Sequence, residues 1–170
     1  MGCIKMKQKR VFLTVGIPAS GKSTFIRKQI KENGGAYISR DEVRFSIITD
    51  EDDYFGKENL VFDTFVQKVQ NAIDDENGPE DVYVDATHIS WGSRRKILNH
   101  LSFGNVKEII WLYFRVPVKT ALARNASRTG RSLVPETAIL SMAENITKPK
   151  ANEQIKVWTI NKDGEVVSIE

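Results

Sequence analysis

Cysteine is nearly absent from this sequence. Cys3 is the only one in 170 residues, so no internal disulfide can form, and a reducing, cytoplasmic setting is expected. No apolar run approaches the ~20 residues that cross a bilayer, so no membrane partner is expected. No secretory leader is visible at the start either. Met1-Gly2-Cys3-Ile4-Lys5-Met6 has methionine where a myristoylation signal wants Ser or Thr, so residues 1–9 read as a basic tail. An excess of one charge is missing too. The net charge of +3 suits a polyanionic substrate but does not by itself indicate one. There are no internal repeats and no low-complexity tracts. With 41% hydrophobic and 28% charged residues, the composition is that of a soluble globular protein, and residues 1–170 are expected to form one domain.

What the chain does have is one stretch that organises the rest, Val11 to Thr24, VFLTVGIPASGKST. An apolar run (Val11, Phe12, Leu13, Val15) breaks at Gly16, and the loop closes at Gly21-Lys22-Ser23 before entering a helix. G-x-x-x-x-G-K-[ST] between a strand and a helix is the phosphate-binding loop. Its glycines let backbone N–H groups turn inward around phosphate oxygens, and the helix N-terminus adds the positive end of its dipole. Gly16, Ser20, Gly21, Lys22, Ser23 and Thr24 are therefore candidate contacts to a nucleoside triphosphate, ATP. Lys22 is placed to reach the β- and γ-phosphates, and the Ser23 hydroxyl to bind Mg²⁺.

Hydrophobic periodicity lays out the rest as an α/β domain. Phe25, Ile26 and Ile30 give a first helix its apolar stripe, ended by Asn33-Gly34-Gly35. Ala36 to Ser39 is a short strand running into a helix that starts around Arg40-Asp41-Glu42, with acidic residues in its first turn. An acidic loop follows from Thr49 to Asp53. Val61, Phe65, Val69 and Ile73 then recur every four residues, predicting a helix packed on a sheet. Val82-Tyr83-Val84 is a strand ending at Asp85, and Ser93 to Leu101 is helical with a basic face of Arg94, Arg95 and Lys96. Ile109 to Phe114 is apolar on both faces, as a central parallel strand requires. Pro117 and Pro135 are each expected to open a helix at its first position, with the polar Ser127–Ser132 between them. Residues 117–147 read as a lid region. Ile155–Ile160 and Glu165–Ile169 flank a turn at Asn161-Lys162-Asp163-Gly164, giving a C-terminal hairpin over 155–170. Strands alternating with helices predict a mostly parallel sheet that binds its ligand at the strands' carboxyl ends, where Gly16, Asp41 and Asp85 fall.

The loop alone serves switches, motors and kinases. A GTPase would carry N-K-x-D, and Asn161-Lys162-Asp163-Gly164 has glycine at the deciding place. A hydrolytic ATPase usually follows its strand-ending Asp with Glu, whereas Ala86 follows Asp85. Transfer is favoured over hydrolysis. Asp41 and Arg44 are spaced i, i+3 near a helix start, where the dipole helps keep a carboxylate ionised. Such a carboxylate can accept the proton of a hydroxyl nucleophile while the arginine holds an anionic group of the acceptor. The same spacing also describes a surface ion pair worth well under ~1 kcal/mol. Arg124, Arg128 and Arg131 surround a polar loop at Gly130, which reads either as a lid closing over phosphates or as a solvated basic turn.

Taken together, Gly16-Ile-Pro-Ala-Ser-Gly-Lys-Ser-Thr24, Ser39-Arg40-Asp41-Glu42-Val43-Arg44, Val84-Asp85-Ala86-Thr87-His88, Arg94-Arg95 and Arg124 to Arg131 resemble polynucleotide 5′-kinases. The likeness runs from about residue 10 to residue 147 and is closest to the phage-type kinase domain, which would act in a host cytoplasm. It implies a P-loop kinase fold with parallel strand order 2-3-1-4-5, and transfer of the ATP γ-phosphate to a 5′-hydroxyl end of DNA or RNA. It further implies Asp41 as general base, Arg44 on the phosphate 3′ to the acceptor nucleoside, and Asp85 orienting Arg44. Arg128 would act on the donor phosphates as the lid arginine, with Arg131 assisting. His88 departs from the pattern, standing where these kinases often carry Asn, and reads equally as a hydrogen-bonded loop histidine. The hairpin from Ile155 onward lies outside the likeness. Two other readings stay open: a small-molecule kinase of this fold acting on a nucleotide, sugar or sugar-nucleotide, and a non-catalytic nucleotide-gated binding module.

Overall fold

Along strand β1 (Lys9–Val15) every residue from Val11 to Val15 is buried, on both faces. A strand buried on both faces must lie inside a sheet that carries helices on both sides. That is the arrangement in the computed structural model, which describes residues 7–49, 52 and 56–170. Residues 1–6 of the expected tail and residues 50, 51 and 53 of the expected acidic loop lie outside the described residues. Strand β1 pairs in parallel with β3 (Asp81–Asp85) on one side and β4 (Val106–Phe114) on the other. Strand β2 (Ala36–Ser39) adds beyond β3, and β5 (Ile155–Ile160) adds beyond β4. The expected order 2-3-1-4-5 is the one that forms, and β6 (Val166–Ile169) extends it antiparallel to β5. The C-terminal hairpin is thus split in role. Its first strand is the fifth parallel strand, and only its second is an added edge.

Helices cover both faces: α1 (Lys22–Asn33), α2 (Arg40–Ile47), α3 (Glu58–Asp74), α4 (Trp91–Asn99), α5 (Val118–Ala126) and α6 (Glu136–Asn145). On one face Val61, Phe65, Val69 and Ile73 of α3 and Ile97 of α4 pack with Val11, Leu13, Val84 and Trp111. On the other, Phe25 and Ile26 of α1 pack with Phe12, Tyr83, Leu112 and Phe114. Each such buried side chain contributes roughly 1.5–3 kcal/mol, which fixes α3 far more firmly than helix propensity could. Among the described residues no helix is long and apolar enough to cross a membrane.

Three local expectations change. Lys9 is no tail residue: its side chain is fully buried, and Nζ donates to the carbonyls of Asp75 (2.6 Å) and Pro79 (2.8 Å) just past α3. A lysine that desolvates its ammonium needs such carbonyl partners, and only the folded chain brings them together. Pro117 and Pro135 each stand one residue ahead of their helices, at the cap. Arg94 leaves the basic face of α4 and turns inward, donating to the carbonyls of His88 (3.0 Å), Ile89 (3.0 Å) and Thr147 (3.1 Å).

Candidate active site

The loop between β1 and α1 is held tight by its own sequence. Ala19 and Gly21 both have positive φ, 61° and 93°. A Cβ on Gly16 would come within 2.6 Å of Ser20 Oγ and 3.0 Å of the Cβ of Phe114 at the end of β4, so a larger residue there would have to push the loop off the sheet. Ser20 Oγ is buried and has no hydrogen-bond partner among the described residues. An orphaned buried hydroxyl in this loop is what a phosphate oxygen would satisfy. Lys22 is buried, and its Nζ donates to the carbonyls of Gly16 (3.1 Å) and Ile17 (2.8 Å). Burial lowers its pKa, while the carboxylates of Asp85 and Asp41 pull the other way. Both acids therefore lie within the electrostatic reach of Lys22.

Strand register brings the next group together. Ser39 stands opposite Asp85 at the carboxyl ends of β2 and β3. The buried Asp85 Oδ2 accepts from Ser23 Oγ and from Tyr37 Oη, each at 2.7 Å. Burial, with Asp85 beside it, raises Tyr37 to about 12, so the phenol stays protonated and donating. This corrects one expectation: the described partners of Asp85 are Ser23, Tyr37 and, at 3.4 Å, the Thr14 hydroxyl, not Arg44. Ser23 and Asp85 present hard oxygens at the loop, a donor set that fits Mg²⁺ shared with phosphates. Tyr37 carries no motif, and only the pairing of β2 with β3 discloses it.

The helix after β2 starts cleanly because Ser39 caps it, accepting from the Glu42 amide at 3.3 Å. Asp41 and Arg44 do meet across one turn, Nη1 to Oδ1 at 3.0 Å. Arg44 Nη2 also donates to both oxygens of Glu58 at 3.1 Å, and Arg40 pairs with the same carboxylate. The Arg44 side chain is 11% exposed and that of Asp41 is 74% exposed. A fixed arginine thus stands beside an open carboxylate. Glu58, which opens α3, supplies the anchoring that had been expected of Asp85.

The three lid arginines separate. Arg124 and Arg128 line a cavity of about 430 Å³ with Gly21, Thr24, Phe25 and the hairpin turn Lys162–Gly164. Arg124 donates to the Lys162 carbonyl at 2.6 Å, tying α5 to that turn. Arg128 lies close enough to Lys22 to lower the lysine's pKa. Arg131 points elsewhere, onto the end of α2, where it donates to the carbonyls of Phe45 and Ile48. The cavity is of a size that takes a nucleotide. The turn at Lys162 is a site element that the sequence reading left out, and only the parallel pairing of β5 carries it to the loop.

His88 takes the loop-histidine role. It is 5% exposed, stands edge-on to Trp111, and its Nδ1 lies 2.8 Å from the Thr14 carbonyl. A carbonyl can only accept, so Nδ1 carries the proton. Burial lowers the ring to about 4; the hydrogen bond to Thr14 opposes this and Arg40 adds to it. The folded value lies below the unfolded 6.5, so the neutral ring's contribution is intact above pH 6.5 and is lost as pH falls toward 4. That gap corresponds to roughly 3 kcal/mol. His88 has φ 42°, a left-handed backbone that Asn also tolerates. His88→Asn is therefore expected to hold its urea midpoint between pH 6.5 and 4.5 better than the wild type does; parallel declines would sink the assignment.

Among solved structures, a chain of an RNA repair complex matches at a TM-score of 0.68 and 23% identity, over 84% of this chain and 45% of that one. A fungal RNA kinase matches at 0.60 and 15% identity, over 90% and 38%. A sugar kinase from a Janibacter species matches at 0.60 and 14% identity, over 92% and 86%. The chain spans less than half of the two RNA-related chains and most of the sugar kinase. At these identities the likeness shows the fold, which is that of P-loop kinases. The family model described as an AAA domain matches residues 11–149, and with its nucleotide-binding loop this chain belongs to that family.

Proposed function

We propose that this chain transfers the γ-phosphate of ATP to a 5′-hydroxyl end of DNA or RNA. The observation that carries this reading is the open carboxylate of Asp41 beside an Arg44 locked by Glu58, within electrostatic reach of Lys22. Asp41 accepts the proton of the 5′-hydroxyl as its oxygen forms a bond to the γ-phosphorus and the bridging bond to the β-phosphate breaks, releasing ADP. Lys22 exchanges the Gly16 and Ile17 carbonyls for β- and γ-phosphate oxygens. Arg128, with Arg124 beside it, meets charge that grows on the transferring group. Ser23 and Asp85 would hold Mg²⁺, which supplies charge neutralisation across the phosphates when bound. Arg44, fixed in place, takes the phosphate that follows the first nucleoside.

That last contact separates this reading from a small-molecule kinase, which the match to a sugar kinase over most of both chains favours. A charge-assisted contact of ~1.5–3 kcal/mol gives a nucleoside 3′-phosphate roughly a 10- to 150-fold advantage in kcat/KM over the bare nucleoside. Arg44→Ala should erase most of that advantage while barely changing the nucleoside reaction. The comparison is made at moderate salt, which screens exposed contacts. No advantage in the wild type, or one that survives Arg44→Ala, overturns the polynucleotide reading in favour of a sugar or nucleotide acceptor.

A further inference from the structure

The family resemblance implies a donor-phosphate role for Arg131, yet it lies against the end of α2 opposite Asp41. Its guanidinium sits 4.5 Å from the centre of the Phe45 ring, Nη1 donates to the Phe45 carbonyl at 3.3 Å, and Nη2 donates to the Ile48 carbonyl. These carbonyls belong to the last turn of α2 and the residue after it, at the negative end of the helix dipole, where intrahelical donors run out. A cation there is a C-terminal cap supplied from another part of the chain. Helix α2 needs one. It has eight residues, and only Val43 is buried. A helix of about two turns has little stability of its own, so its placement depends on its ties: Val43 in the core, Arg40 and Arg44 on Glu58 of α3, and Arg131 at its C-terminal end.

The tether is short. Arg128 lines the donor cavity, and Arg131 follows three positions later across the single 3₁₀ turn Gly130–Ser132. A lid that moves Arg128 must move Arg131, and Arg131 is attached to the helix that carries Asp41 and Arg44. We propose that Arg131 is a positioning residue that couples the lid's grip on the donor to the placement of the acceptor helix. Its contact to α2 is independent of what the acceptor is; its kinetic consequence rests on the acceptor reading above.

By linkage, the coupling is reciprocal: acceptor tightens donor binding by the same factor by which donor tightens acceptor binding. In the wild type, a 5′-hydroxyl oligonucleotide is expected to improve the affinity for a non-transferable ATP analogue by roughly 5- to 20-fold, within the usual range of such couplings. Arg131→Ala should bring that factor close to one and raise the acceptor KM about as much, with analogue affinity in the absence of acceptor unchanged. Arg131→Lys keeps a cation over Phe45 and a donor to the carbonyls, and should restore part of the factor. Phe45→Ala should reproduce part of the loss. Hydrogen exchange at the amides of residues 46–48 supplies an arm independent of the acceptor, and Arg131→Ala should accelerate it. Loss of analogue affinity in Arg131→Ala with unchanged exchange in α2 overturns the proposal and returns Arg131 to the donor site. Accelerated exchange with an undiminished coupling factor overturns it as well. A wild type that phosphorylates no oligonucleotide sinks the polynucleotide reading instead, and the exchange arm still decides whether Arg131 holds α2.

Discussion

Lys22→Ala is expected to abolish phosphoryl transfer at saturating ATP and to leave the fold standing. The loss follows from what Lys22 supplies, a positive charge inside the loop, anchored on two carbonyls that it can exchange for phosphate oxygens. Removing one cation aimed at the transferring phosphoryl group costs on the order of 10³–10⁵ in turnover, the range known for arginine fingers. Stability should behave differently. Burial lowers the pKa of Lys22, so its ammonium is held at a desolvation cost. Alanine removes that cost and little apolar contact, and the core against which α1 packs, through Phe25 and Ile26, is untouched. A urea midpoint at or above that of the wild type, together with lost turnover, is the expected pair of results. It would mark Lys22 as a residue whose strain serves the site. A variant that keeps near-full turnover at saturating ATP would refute the assignment of the loop.

Much of the fold was legible in the sequence because each element announced itself locally. The spacing of Val61, Phe65, Val69 and Ile73 gave the face of α3, and all four are buried. The two-sided apolar character of Ile109–Phe114 gave a strand inside the sheet, and β4 lies between β1 and β5. Loop, helix and acidic first turn placed Lys22, Ser23, Asp41 and Arg44 near one another for the same reason: parallel strands deliver their carboxyl ends to one edge. What the sequence hid was pairwise. Glu58 on Arg44, Tyr37 on Asp85 and Arg131 on Phe45 join residues 14, 48 and 86 positions apart, and no periodicity encodes such contacts. Lys9 is the clearest case, a lysine at the end of a basic segment that turns out to be fully buried. The lid misled for a different reason. Arg124, Arg128 and Arg131 look equivalent in a polar stretch, but positive φ at Gly130 and one 3₁₀ turn send the third away from the other two.

Asp41→Asn separates proton removal from acceptor grip. The substitution keeps size and hydrogen-bonding reach but removes the charge that accepts a proton, so turnover should fall by roughly 10²–10⁴, the usual range for a lost general base. ATP affinity should barely move. The Asp41 side chain is 74% exposed, it pairs with Arg44, and its field on Lys22 is weaker than that of Asp85. Arg44 should also stay in place, because Glu58 holds its other nitrogen through both carboxylate oxygens. A double signature follows. Asp41→Asn loses rate and keeps the preference for a 3′-phosphate, whereas Arg44→Ala loses the preference and keeps the slow reaction of the bare nucleoside. Steady-state kinetics on the two acceptors, with analogue affinity measured by titration calorimetry, reads both halves. If analogue affinity collapses in Asp41→Asn while turnover holds, the carboxylate serves the donor side, and the base must be sought among the other groups that face Lys22, with Asp85 first.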